Sequence, residues 1–143
     1  MITGWFTCVL RPHRAVVEMT VSNAKGFRTP DNKIVPQITF TMDVDGYHAP
    51  LTAGNFIDLV DKKFYDGLGF PKIEELSVQT GLRPDQPDGF VDPKTKQVRT
   101  IPLELFYKAD DHPTYGYTSD EDRRATETMA LPFQSYGEST HRR

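Results

Sequence analysis

Residues 45–67 constrain the fold more than any other stretch, because they join a turn, an amphipathic helix and a second turn in one short unit. An Asp-Gly pair stands at each end, at 45–46 and at 66–67, and supplies turn chemistry there. Between the turns, apolar residues recur at spacings of three and four, which predicts a helix with one apolar face. These residues are Ala53, Phe56, Ile57, Val60 and Phe64.

The sequence also indicates where this helix starts and which of its faces is polar. Thr52 is placed to cap the N-terminus, with its hydroxyl oxygen accepting a hydrogen bond from a backbone amide of the first turn. Asp58 and Lys62 stand at the i, i+4 spacing that favours a weak ion pair on the solvent side. We therefore expect one helix that is capped by its own threonine and has its apolar face buried.

Alternation of apolar and polar residues predicts strands before the helix. Residues 37–44 alternate cleanly and predict a half-buried strand, and 14–21 alternate in the same way. We expect these two strands to pair across a loop that contains Gly26 and Pro30. The apolar run 2–10 is too short for a membrane span and lacks the features of a signal peptide, so it predicts a further strand.

The second half of the chain is richer in proline and in charge clusters, and its predicted strands are short. These are 76–81 and 98–107, followed by a last structured segment at 126–136. Pro102 confines the second of them to a sheet edge or a bulge. The connections are a long surface loop at 83–96 and a solvated charged loop at 108–124. The whole pattern predicts a mostly β fold with one clear helix.

Length and composition limit the number of domains and the kinds of partner. A chain of 143 residues is long enough for one ordinary domain, and a hydrophobic content of 37% is sufficient for a core. The net charge of −3, with acidic and basic residues interspersed, gives no basic patch for nucleic acid or for a membrane surface. Cys8 is the single cysteine, which excludes an internal disulfide.

Three groups of polar residues could suggest a metal or acid–base site, but each is better explained as surface or turn structure. Residues 43–46 begin like a calcium loop, yet the helix starts before the later acidic ligand that such a loop needs. Residues 110–111 are both Asp, and neighbours in an extended segment point to opposite faces. The four histidines lack ligand-like spacing; they are His13, His48, His112 and His141. We expect no metal and no cofactor.

Five segments together resemble one protein family. Along the chain they read DGYHAPLTAGNFIDLVDKKFYDG, VQTG, DGFVDP, RTIPLEL and LPFQSYG. In combination they resemble the isomerase-like domain of the multidomain thylakoid-lumen cyclophilins of plants and algae, which are peptidyl-prolyl cis-trans isomerases. The resemblance covers residues 15–137 and implies a cyclophilin-like β-barrel.

The resemblance also implies a set of site residues. In the family an arginine stabilises the twisted amide, a glutamine on the next strand helps to hold the substrate backbone, and an apolar pocket grips the proline ring. Gln79 stands where the glutamine is expected, and Lys72 stands in place of the arginine. Leu76 and Ser77 stand where a Phe and a Met of the pocket lie in the family. Phe70 belongs to the same short motif as Lys72. Lys72 and Gln79 are therefore the implied catalytic residues, and the other three are the implied substrate-binding residues.

Departures from the family pattern predict weak or absent catalytic activity. A lysine keeps the charge of arginine but lacks the planar fork that donates two aligned hydrogen bonds. Leucine and serine make the proline site smaller and more polar. The segment after residue 137 matches none of the remaining strands of the family, so we expect an incomplete barrel. Its predicted parts are an N-terminal extension at 1–13, a partial domain at 14–137 and an unstructured tail at 138–143.

The resemblance implies a role in protein folding, with proline-containing polypeptide segments as partners. The alternative, from another functional class, is a non-catalytic peptide-binding or chaperone module in the assembly of thylakoid proteins, in particular of photosystems. A location in the chloroplast thylakoid lumen is implied by the family alone, since no targeting peptide is visible in the sequence.

Overall fold

A four-stranded antiparallel sheet is the largest element of the fold. The computed structural model describes residues 2–11, 14–74, 77–81, 83–86, 88–123 and 128–130. The sheet contains β1 (Ile2–Arg11), β2 (Arg14–Arg28), β3 (Ile34–Asp45) and β4 (Leu68–Gly69), in the spatial order β3-β2-β1-β4. Helix α1 (Pro50–Asp61) follows β3, and two small hairpins lie further along the chain. They are β5 (Lys72–Ile73) with β6 (Val78–Gln79), and β7 (Glu104–Leu105) with β8 (Thr114–Tyr115).

Strand β1 is an integral part of this sheet, which confirms the strand predicted for the apolar run 2–10. It pairs in continuous antiparallel register with β2 from one end of β1 to the other. Because side chains alternate across a strand, the two faces of the sheet differ in character. Phe6 and Val17 are buried on the face that α1 covers, whereas Trp5 and Glu18 are exposed on the opposite face.

The predicted pairing between the second and third strands is also confirmed. Strands β2 and β3 pair from Arg14 opposite Asp45 to the far end of both strands. The predicted position of Gly26 in the connecting loop was wrong, because this glycine lies within β2, and the connection is 29–33. Gly26 sits at a register shift between Ser22 and Phe27 and has a φ of +73°, a left-handed backbone conformation that glycine adopts at little cost.

Helix α1 packs on the sheet through the apolar face that the sequence predicts. Phe6, Val17 and Val60 form the centre of the core. Half-buried apolar residues surround them; these are Cys8, Met19, Met42, Val44, Phe56 and Tyr65. On the other side of the helix, the predicted ion pair between Asp58 and Lys62 is formed.

The capping of α1 is not the one that the sequence predicts. Ala49 occupies the N-cap position and has no capping side chain, while Pro50 takes the first turn. Glu104 of β7 supplies the missing acceptors, since its Oε1 and Oε2 accept from the amides of Leu51 at 2.9 Å and Thr52 at 2.8 Å. The prediction of Thr52 as the cap was therefore wrong, because a carboxylate 52 residues away in the chain fills that role.

Regular strands in the second half are shorter than predicted. Within 98–107 only Glu104–Leu105 is a strand, and Val98 makes an isolated bridge with Val91. The prediction for most of this segment was wrong, because Pro102 interrupts it and has no amide hydrogen for a strand ladder. The segment 108–124, expected to be a loop throughout, contributes β8.

Most of the segment predicted at 126–136, the predicted tail 138–143, and Leu76 lie outside the described residues. In the described part, strands predominate, α1 is the helix, and the sheets are open. This arrangement confirms the predicted fold class of a mostly β, incomplete barrel.

Candidate functional site

The hairpin of β5 and β6 brings the two implied catalytic residues side by side. Lys72 is the cross-strand partner of Gln79. Directly opposed residues in an antiparallel pair project from the same face of the hairpin. The turn between the strands is closed by a hydrogen bond of 2.7 Å from the amide of Glu74 to the carbonyl oxygen of Ser77. Lys72 and Gln79 therefore lie on the same face of the hairpin.

The charge of Lys72 is partly neutralised within the hairpin. Its Nζ lies 3.0 Å from Oε1 of Glu74, and both side chains are more than half exposed. The hydroxyl of Ser77 donates to Oε2 of the same carboxylate at 2.9 Å. Lys72 and Ser77 therefore contact the same carboxylate, that of Glu74, and both residues are exposed to water.

Phe70, another of the implied substrate-binding residues, lies apart from this group. Phe70 is half-buried, and its ring lies against the backbone of Gly4 in β1, where an added Cβ would come within 3.6 Å of it. Thr80, beside Gln79, donates to the carbonyl oxygen of Gly69 at 2.9 Å and so attaches β6 to β4. Leu76 is outside the described residues. Of the five implied site residues, the hairpin gathers Lys72, Ser77 and Gln79.

A cleft of about 350 Å³ begins at Gln79 and extends to α1. Its apolar walls come from Leu59 of α1 and from the three aromatic rings of Phe64, Tyr65 and Phe90. The rings of Phe64 and Phe90 meet edge to face, with centroids 5.8 Å apart. Polar groups at the rim are Asn55, Gln79 and Arg99. The cleft thus combines an aromatic wall with a few hydrogen-bonding groups, as small binding sites commonly do.

Arg99 links the loop of residues 89–99 to the helix. Its Nη1 donates to Oδ2 of Asp58, and its guanidinium lies 4.8 Å from the centroid of the Phe90 ring. Hydrogen bonds from Lys62 and then from Arg99 lower the pKa of Asp58, although its burial opposes this slightly. The carboxylate therefore stays ionised and holds the loop against α1.

Sequence reasoning did not identify the cleft residues Asn55, Phe90 and Arg99. Residues 83–96 were expected to form only a surface loop, and Arg99 was assigned to a strand. The available signal was a large apolar residue, Phe90, in a segment otherwise rich in Pro, Gly and Asp. An aromatic residue in such a loop commonly needs a surface to pack on.

Among the residues that the structure describes, no three His, Cys, Asp or Glu side chains are grouped closely enough to hold a metal ion. Within that same part of the chain, no helix has the length and apolar character that a membrane crossing requires.

Fold and site together define a mostly β domain with an exposed hairpin and an adjoining cleft. The family described as cyclophilin type peptidyl-prolyl cis-trans isomerase matches residues 33–133. The chain belongs to this family, as the resemblance in its sequence implied.

Two relatives extend the match beyond that range. A protein of Synechocystis sp. that is named as a thylakoid lumen peptidyl-prolyl cis-trans isomerase is 43% identical over 125 residues, which are 87% of this chain and 29% of the relative. The chloroplastic peptidyl-prolyl cis-trans isomerase CYP38 of Arabidopsis thaliana is 38% identical over 124 residues, or 87% of this chain and 27% of the relative. The chain thus spans less than a third of the length of these curated relatives.

Proposed function

We propose that this chain binds proline-containing segments of polypeptides and acts in protein folding, with weak or absent isomerase activity. The observation that carries the proposal is the cross-strand pair of Lys72 and Gln79 on an exposed hairpin beside a cleft. Rotation about an X-Pro bond is slow because its barrier is roughly 18–20 kcal/mol. A protein accelerates this rotation when it stabilises the twisted amide more than the planar one.

The surroundings of Lys72 support weak catalysis. Stabilisation of a twisted amide is strongest where fixed donors act in a site that excludes water. The Nζ of Lys72 is instead paired with the carboxylate of Glu74 at 3.0 Å. Both side chains are more than half exposed to water. An ammonium is also a point charge without the two parallel donors of a guanidinium. Both features reduce the expected rate enhancement.

A non-catalytic peptide-binding or chaperone role is the second candidate, and the cleft favours it. The cleft offers aromatic walls and the side-chain amides of Asn55 and Gln79, which can hold an extended segment without turning its proline. One relative is named for the thylakoid lumen and the other for the chloroplast, which favours the thylakoid lumen as the location of this chain. Thylakoid proteins, including those of photosystems, are the proposed partners there.

Exchange spectroscopy by NMR on a short peptide with one Ala-Pro bond tests the proposal. The chain is added to the peptide as wild type, as Lys72→Arg, and as the matched control Lys94→Arg on the exposed loop. We expect the amide signals of β5 and β6 to shift with the wild type, and the cis–trans exchange rate to rise little. Lys72→Arg should raise that rate about threefold to tenfold, since roughly 1.4 kcal/mol of transition-state stabilisation is a factor of ten.

The outcomes separate the two candidates. Shifts at Gln79 together with equal exchange rates in wild type and Lys72→Arg would favour the binding module over the enzyme. No shift in the hairpin or in the cleft, at peptide concentrations in the millimolar range, would contradict both. If Lys94→Arg raises the exchange rate as much as Lys72→Arg does, the argument that the lysine at position 72 limits catalysis is contradicted.

A further inference from the structure

The guanidinium of Arg99 has donors left over after its structural contacts are made. An arginine carries five N–H donors in a planar fork. Within the described part of the chain, Nη1 donates to Oδ2 of Asp58 and, at 3.4 Å, to Oδ1 of Asn55, and no side-chain hydrogen bond from Nε or Nη2 to these residues is present. The side chain is 26% exposed and lines the cleft, so these donors are accessible to a bound group.

Arg99 gives the wall of the cleft a positive charge. Among the described residues that line the cleft, it is the one that carries a charge. The carboxylate of Asp58, which pairs with Arg99, is also shared with Lys62. An anionic side chain that enters the cleft would therefore meet a positive group that is only partly neutralised.

The geometry of the fork suits a carboxylate better than other anions of a polypeptide. The Cζ atom of Arg99 lies over the ring of Phe90, 4.8 Å from its centroid, and this contact restricts the movement of the fork. Two parallel N–H groups in one plane match the two oxygens of a carboxylate. The aromatic wall beside them, Phe64 and Phe90, can pack against the methylene groups of an acidic side chain.

The cleft is continuous with the hairpin through Gln79, which belongs to both. We propose that this cleft is a second recognition site, in which Arg99 binds an aspartate or glutamate of the same polypeptide segment whose proline lies at Lys72 and Gln79. The inference rests on the proposed function and adds the substrate class: proline-containing segments with a nearby acidic residue. An extended chain advances about 3.3 Å per residue, so four residues on either side of the proline reach about 13 Å along the surface.

Binding of matched peptides to the full chain, four for each tested position, tests the inference. Two peptides contain proline and carry either Glu or Gln at one position, and two have the same pair with Ala in place of proline. The Glu or Gln position is scanned from one to four residues on each side, and affinity is measured by NMR titration. We expect at least one position at which Glu binds about fivefold to tenfold more tightly than Gln, because hydrogen bonds to charged groups contribute more than neutral ones.

Variants then assign the preference to Arg99. Arg99→Gln should abolish the difference between the Glu and Gln peptides, while Lys94→Gln, which removes the same charge from the exposed loop, should keep it. Arg99→Lys retains the charge and the pairing with Asp58 but not the fork, and should reduce the difference to about twofold. If Arg99→Gln does not fold, the comparison of peptides on the wild type and on Arg99→Lys still decides.

The peptide set separates this inference from the proposed function. Equal affinities for Glu and Gln peptides at every position would overturn the acidic site while leaving proline binding intact. Equal affinities of the proline and alanine peptides, with the preference for Glu retained, would keep the acidic site and count against the proline site. A preference that persists in Arg99→Gln would also overturn the assignment to Arg99.

Discussion

The carboxylate of Glu104 is expected to stabilise helix α1 across a large sequence separation. The N-cap residue, Ala49, offers no side-chain acceptor to the first turn. Glu104 instead accepts from the amides of Leu51 and Thr52, at 2.9 and 2.8 Å. Its negative charge also lies at the end of the helix where the macrodipole is positive. Replacing it removes both effects at once.

The size of the effect follows from these contacts. Losing a capping side chain commonly costs roughly 0.5–2 kcal/mol, and here one residue serves two amides. The site is open to water, since Leu51 is exposed, so each amide regains part of its loss by hydration. We expect Glu104→Ala to lower the free energy of unfolding by about 2 kcal/mol. Glu104→Gln should cost about 1–2 kcal/mol, because its uncharged amide oxygen can accept from one of the two backbone amides, while its NH2 group cannot accept from the other.

Urea denaturation followed by circular dichroism measures this directly. With a dependence on urea of about 2 kcal/mol per molar, the midpoint should fall by about 1 M in Glu104→Ala. Glu18→Ala is the matched control, since Glu18 is a strand glutamate on the exposed face of β2. Midpoints of Glu104→Ala and Glu18→Ala that agree within about 0.2 M would refute the capping argument.

Two further predictions concern backbone conformation and pH. Gly26→Ala should lower the free energy of unfolding by about 1–2 kcal/mol, because φ is +73° and the new Cβ would lie 2.3 Å from Cγ2 of Ile34. Gly54 lies in α1 with open space around it, so Gly54→Ala should raise the free energy of unfolding by up to about 1 kcal/mol. Equal urea midpoints for the two variants would contradict this. Burial raises the pKa of Asp45, but hydrogen bonds from His48 and from backbone amides outweigh it and hold the pKa below its usual 3.8. This carboxylate therefore stabilises the fold above about pH 4 and loses that contribution as the pH falls through the lowered pKa, so Asp45→Asn should show a smaller loss of stability on acidification than the wild type. Parallel pH profiles of the urea midpoint for the two proteins would refute the assignment.

The first half of the fold was predictable because its signals are local. Alternation within the segments 14–21 and 37–44 indicates which side chains share a face, and two strands close in sequence pair readily. The spacing of Asp58 and Lys62 places them on one helix face, and their ion pair is formed. Such periodicities depend only on backbone geometry, which is the same in every helix or strand.

The second half was predicted less well because proline and charge leave few periodic signals. Residues 98–107 show alternation around Pro102, yet the structure keeps a strand only at Glu104–Leu105. This short strand pairs with Thr114–Tyr115, which lies in a segment that was predicted to be a loop because of its charged residues. Short hairpins of this kind depend on partners rather than on their own pattern.

The candidate site divides in the same way. The sequence by itself determined the family, and the resemblance implied that Lys72 and Gln79 belong to one site; the structure places them opposite each other in a hairpin. Only the tertiary structure decided that Arg99 pairs with Asp58 and that Glu104 caps α1, across separations of 41 and 52 residues. No local period links residues so far apart in the chain, because their contact depends on how the sheet, the helix and the loops pack together.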